Sequence, residues 1–247
     1  MEYYFLGVVM PNFFCLHFIM LISFVSHAQQ IADTSSFKKL HPVALYYTTL
    51  GQQSPLYNGK EYLDYGSTIR IGHQFFSSKE FAMGSIHFDG MVFEDAMILY
   101  DIIKDKLVLR HHNKYFKIDL PIEKISEFKL WNHHFIHLLP DSAQVIEEGF
   151  YDKLYQGNMS LLAKRKKEIR EELSRNDLIT LVDEKNSFYI EKQGVYYPVT
   201  NMRQLLRVLN DRKDVIRKYL NKMGMTFKKD REAAILMAVK YYDSLSN

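Results

Sequence analysis

The sequence predicts an α+β protein: an antiparallel β meander or sandwich followed by a C-terminal helical subdomain. Turn-forming dipeptides punctuate the chain between His41 and Val199, and the segments between them alternate apolar with polar residues. Beyond Val199 the apolar spacing changes from two to near 3.6, the step from strand to helix.

The first thirty residues read as a secretory signal. Residues 13–25 form an apolar run broken only by His17 and Ser23, and Ser26-His27-Ala28 offers small residues for cleavage, so the mature chain starts near Gln29. No Lys or Arg precedes the run and Glu2 is acidic, which departs from the usual positively charged opening. A membrane helix needs about 20 apolar residues, and Pro11 and Asn12 interrupt any upstream extension. The expected organisation is a signal peptide over 1–28, a β-rich domain over 29–200, and a helical subdomain over 201–247 packed on the β domain. The expected location is periplasmic or secreted, with no integral membrane segment once the signal is cleaved.

Cys15 is the only cysteine and lies inside this leader, so the mature chain has neither disulfides nor thiol chemistry. A lipoprotein would need a small residue after the cysteine, whereas Leu16 and a long apolar stretch follow it. About 220 remaining residues are ample for a self-sufficient core. Hydrophobic residues make up 47% of the chain and only six prolines occur, which excludes a disordered chain. Formal net charge is +3, and cleavage would remove a single charged residue, Glu2. Nucleic acid is therefore not an expected partner.

In the β region, Asn58-Gly59 follows Leu56-Tyr57, and Asp89-Gly90 separates Ile86-His87-Phe88 from Met91-Val92-Phe93. Both pairs suit type I′ hairpins, whose central residues need positive φ. Further turns are expected at 103–105, His112-Asn113, Gly157-Asn158 and Gln193-Gly194. Strands are expected at 106–110, 115–120, 150–155 and 188–191, where Leu107 with Leu109, and Phe116 with Ile118, put one face on a core. Residues 164–175 stand out by their charge: Lys164, Arg165, Lys166, Lys167, Arg170 and Arg175 against Glu168, Glu171 and Glu172. Ile169 and Leu173 are spaced for one helical face, and a short solvated helix is expected there.

Helical signals begin at Asn201, a cap with Gln204 at the third position. Leu205, Leu206 and Leu209 follow as an apolar stripe. A second helix carries Val215, Ile216, Tyr219, Leu220 and Met223 and stops at Gly224. A third starts near Arg231 after Asp230 and presents Ala234, Ile235, Ala238, Val239 and Tyr242. Such stripes are buried against the β region or one another, or else contact a partner protein.

Chemistry-bearing residues are plentiful but unpatterned. Eight histidines follow Ala28, including His133, His134 and His137. On a strand over 131–139, His133 and His137 share a face about 13 Å apart at roughly 3.3 Å per residue, while His134 faces the other way. A metal site would need His111 or His112 from another strand. Asp89, Glu94, Asp95, Asp101 and Asp105 lack the order of a calcium loop, and turns account for Asp89 and Asp105. There is no Gly-x-Ser-x-Gly elbow and no glycine-rich phosphate loop. No catalytic, metal or cofactor-binding residue is therefore assigned. Tyr46, Tyr47, Tyr57, Tyr62, Tyr65, Phe75, Phe76 and Phe81 are expected in the core, with the tyrosines near Asn58-Gly59 as a possible binding surface.

Leu56-Tyr57-Asn58-Gly59, the run Gly84-Ser85-Ile86-His87-Phe88-Asp89-Gly90, Leu99-Tyr100-Asp101 with Asp105 and Leu107, and Tyr241-Tyr242-Asp243 resemble uncharacterised exported proteins common in Bacteroidota. The resemblance implies a periplasmic or outer-membrane-associated place and no catalytic residues. The expectation is a non-enzymatic envelope protein that binds a protein, peptide or glycan. The alternative is an envelope hydrolase whose site is assembled from dispersed His and Asp or Glu, which a deep polar cleft with converging His111, His133 or Asp95 side chains would favour.

Overall fold

The computed structural model describes residues 54–174 and 177–245. The expected signal peptide, Cys15, Tyr46 and Tyr47 lie outside them.

Eleven antiparallel strands form one sheet: β1 (Lys60–Glu61), β2 (Ala82–Phe88), β3 (Met91–Asp101), β4 (Lys106–Arg110), β5 (Lys117–Asp119), β6 (Ile125–Leu130), β7 (His133–Leu138), β8 (Gly149–Gln156), β9 (Ser160–Lys164), β12 (Ser187–Lys192) and β13 (Val195–Pro198). Their spatial order is β1-β5-β4-β3-β2-β6-β7-β8-β9-β12-β13, a meander in which β2 pairs with both β3 and β6. The intervening β10 (Lys167–Ser174) and β11 (Asp177–Glu184) form a separate two-stranded sheet. Mostly antiparallel β structure with a C-terminal helical region is thus the fold.

Local chemistry explains most of the turns. Asp89-Gly90 closes the β2–β3 hairpin with φ of 52° and 76°, and Gln193-Gly194 closes β12–β13 with 54° and 77°, both central residues left-handed as a type I′ turn requires. The 103–105 turn leads into β4 through Asp105 at φ 56°. Asn58-Gly59 behaves differently from the hairpin expected there. Asn58 ends a short 3₁₀ turn over Pro55–Tyr57 with φ −91°, and Gly59 packs so closely on β5 that a Cβ would collide with Ile118 and the Asp119 carbonyl. The glycine is needed for close approach rather than for positive φ.

The expected helix over 164–175 is replaced by the end of β9 and by β10, which pairs in register with β11 from Lys167↔Glu184 to Ser174↔Asp177. Ile169 and Leu173 are four apart, a spacing that places two residues on one face of a strand as well as of a helix. Long-range pairing with Asp177–Glu184 chose the strand. The parallel bridge Ile71↔Leu181 ties this hairpin to the segment before β2.

Two large cores line the main sheet, beside two smaller clusters around Leu99 with Val108 and around Tyr151 with Leu162. The first gathers Ile86 and Phe88 of β2, Ile98 and Tyr100 of β3, Leu107 and Leu109 of β4, Phe128 of β6, Phe135 of β7 and Phe150 of β8. Its centre is aromatic: Phe128 stacks on Phe135 at 4.7 Å, and Tyr100 meets both rings edge-on. The second joins Leu161 and Ala163 of β9 and Phe188 and Ile190 of β12 to helices α1 (Met202–Val208), α2 (Lys213–Lys222) and α3 (Arg231–Ser244).

The helix signals hold at both ends. Asn201 accepts from the Gln204 amide and Asp230 from the Ala233 amide. The Gln204 side chain reaches Thr200 N rather than the cap's own N–H, which shifts the reciprocal half of the capping box by one residue. Gly224 follows α2 at φ 65°. Ala234, Ile235, Ala238, Val239 and Tyr242 are all buried, whereas Val215 and Met223 of the expected α2 stripe are exposed. No helix among the described residues is long and apolar enough to cross a membrane.

Candidate functional site

The dispersed histidines and carboxylates lie on separate parts of the sheet. His111 follows β4, where its Nδ1 accepts from the Asn113 amide. Asp95 is exposed in a bulge of β3 at φ 58°, between the pairs Gly84↔Ala96 and Ile86↔Phe93. His133 opens β7 and binds Asp152 at 2.7 Å. Asp95 lies on β3, His111 just after β4 and His133 on β7, and none of the three is bonded to another. His134 points to the opposite side, as alternation demands, where Glu127 takes it at 2.8 Å and His87 at 3.3 Å. Burial would raise the Glu127 carboxyl, but the His134 hydrogen bond and the charges of His134 and His87 outweigh it and hold it below the ordinary range. Among the described residues no three His, Cys, Asp or Glu side chains are grouped to hold a metal ion.

A chain of buried charges lies where the two large cores meet. Asp152, on β8, is 1% exposed and accepts from Arg165 Nε at 2.9 Å and Nη2 at 2.7 Å. Arg165 then reaches Glu232 on α3 with Nη1 at 2.6 Å and Nη2 at 2.9 Å. The Phe76 ring lies 4.8 Å from the His133 ring and under the guanidinium. Burial pulls the Arg165 pKa down, and Glu232 and Asp152 more than reverse that, leaving it raised. Each member has a partner, so this network clasps sheet to helix. It also removes Lys164, Arg165 and Lys167 from the solvated face expected of them. Lys164 pairs with Asp105, and Lys167 donates to the carbonyls of His73 and Phe75.

An open concavity of the β body lies elsewhere. A cleft of about 740 Å³ is walled by the turn Asn58-Gly59-Lys60, by Lys104 to Lys106, and by Asp119 to Glu123, with Glu148 at its rim. The close approach of Gly59 to β5 sets one wall. Asp105 forms another: its carboxylate accepts from Tyr100 OH, from Lys164 and from the Phe150 amide, which fixes the turn. Lys106 pairs with Asp119, and Lys104 donates to the Leu63 carbonyl at 3.1 Å. Lys60 and Glu123 are exposed and carry no ion pair among the described residues. Leu120, Pro121 and Ile122 add an apolar side. Such a surface can hold a ligand carrying both charge signs and some apolar area; it aligns no nucleophile with a base.

Sequence reasoning places Asp105 in a turn, where it lies, and misses the rest of the cleft. Its walls come from separate segments with no shared spacing, so no local signal marks it. The aromatic residues divide: Tyr62, Phe75 and Phe76 are buried, and Tyr57 packs on His112 at 4.2 Å beside the Asn58-Gly59 wall. No protein-family model, curated protein or solved structure matches the chain.

Proposed function

We propose that this is an exported envelope protein that works by binding rather than catalysis, and that it takes a peptide segment in the cleft between Lys60, Lys106 and Glu123. Protein, peptide and glycan are the ligand classes consistent with export. The observation that favours a peptide is the wall chemistry: an open cation at Lys60, an open carboxylate at Glu123 and the apolar side of Leu120, Pro121 and Ile122 around about 740 Å³. That volume lies within the roughly 300–1,000 Å³ of ligand sites. A glycan would call for exposed flat aromatic faces, and none of the cleft residues is aromatic.

The test is a binding screen of the mature protein against short peptides carrying a basic and an acidic residue, followed by charge reversal with Lys60→Glu and Glu123→Lys. Each reversal is expected to weaken the best peptide about tenfold, about 1.4 kcal/mol, with an unchanged melting temperature because both side chains are exposed. Binding indifferent to both substitutions would overturn the cleft assignment. Hydrolysis of the peptides by the pure protein would overturn the non-catalytic reading. Export is checked separately by cell fractionation and by an N-terminus at Gln29.

A further inference from the structure

The helical region carries a second concavity, unrelated in position and chemistry to the cleft. Met202, Arg203, Leu206 and Arg207 of α1, Asn210 of the following turn, and Lys213 and Arg217 of α2 line a groove of about 440 Å³. Four of these seven residues are cations, and all four are exposed. Arg203, Arg207 and Lys213 have no acidic partner among the described residues, and Arg217 has only a 3.9 Å contact to the exposed Asp214. Several cationic side chains elsewhere are paired, Arg165 with Asp152 and Glu232, Lys164 with Asp105, and Arg170 with Asp183; the groove differs in gathering four cations in one concavity.

The arrangement has a cost in the free protein. Arg203 with Arg207, and Lys213 with Arg217, are like charges four residues apart on helices, each pair unfavourable by a few tenths of a kcal/mol. Bringing the two pairs to one groove adds further repulsion, which a bound anion would reverse. The shape narrows the kind of anion. The groove is open on one side, with Met202 and the edge of the buried Leu206 in its lining, and its size suits a small molecule. Four cations are matched by two phosphate groups, each carrying about −1.5 to −2 at neutral pH, and arginine forks suit phosphate oxygens.

We infer that the α1–α2 groove is a binding site for a small ligand bearing two phosphate groups, a diphosphate or a bisphosphate. Arg203, Arg207, Lys213 and Arg217 hold the phosphates, and Met202 and Leu206 contact the carbon skeleton between or beside them.

The experiment is calorimetric titration of the full mature chain with inorganic pyrophosphate, and with orthophosphate for comparison, in low salt. Pyrophosphate is expected to bind at least about tenfold more tightly than orthophosphate, because only it spans two cation pairs. The double variant Arg203→Glu/Lys213→Glu should lose at least about tenfold in pyrophosphate affinity. Lys228→Glu/Lys229→Glu, on the loop before α3, should leave it unchanged. Should the double charge reversal disturb folding by circular dichroism, Arg203→Gln/Lys213→Gln replaces it, with the same direction expected. Absence of pyrophosphate binding, equal binding of the two anions, or equal loss in the loop control overturns the inference. So does flotation of the protein with phosphatidylglycerol vesicles that pyrophosphate fails to compete, since that would make the surface a membrane contact.

Discussion

His73 shows how a single side chain couples this fold to pH. Its Nδ1 is buried without a hydrogen bond, and burial, with the charges of Lys167 and Lys79, depresses its pKa below the ordinary histidine value. The unfolded chain, with a histidine near 6.5, therefore binds a proton that the folded chain refuses. Stability contributed by neutral His73 is present above pH of about 6.5 and is lost as pH falls toward the folded value. His73→Leu is expected to flatten the decline of the urea midpoint between about pH 7 and 5 relative to the unchanged protein. Equal slopes for the two would refute this role. The alternation of His133 and His134 across the strand was legible from spacing. Their partners Asp152 and Glu127 were not, because they lie on neighbouring strands and only sheet register brings them into contact.

At the scale of elements, legibility followed how local each signal is. Asp230 caps α3 through an amide three residues away, and Asp89-Gly90 makes its own turn. In both cases the chemistry is complete within a few residues. Asp230→Ala is expected to cost about 1 kcal/mol, measured as a lowered denaturation midpoint with unchanged slope. The residues of β10 were misread because a spacing of four satisfies both periods. The deciding interactions are backbone pairings to β11 and the anchoring of Lys167 on the carbonyls of His73 and Phe75, more than 90 residues earlier. Gly59 was recognised as a special position for the wrong reason. Turn chemistry is written beside it, whereas the backbone of β5 that it must approach is remote in sequence.

Across the whole molecule, one sheet serves both large cores, and the seam between them is held by Asp152, Arg165 and Glu232. Arg165→Ala leaves buried Asp152 with His133 as its remaining partner, and the expected loss in chemical denaturation is about 3 kcal/mol, the lower end of what breaking a buried pair costs. Replacing both members, as in Arg165→Met with Asp152→Leu, should recover most of that loss, because two desolvation costs disappear with the pair. Failure of the double variant to recover would mean that the ions themselves hold sheet to helix. The sequence by itself determined the α+β class, the Asp89-Gly90 turn, the helix caps and the buried stripe of α3, since each depends on spacing or on contacts within one turn. Tertiary structure alone decided that residues 167–174 are a strand, that His133 and His134 meet different carboxylates, Asp152 and Glu127, and that the cationic groups divide between a buried seam and an open groove. Those outcomes depend on which remote surfaces come within a few ångströms, and that is set by long-range sheet pairing and shared burial rather than by the order of residues along any one segment.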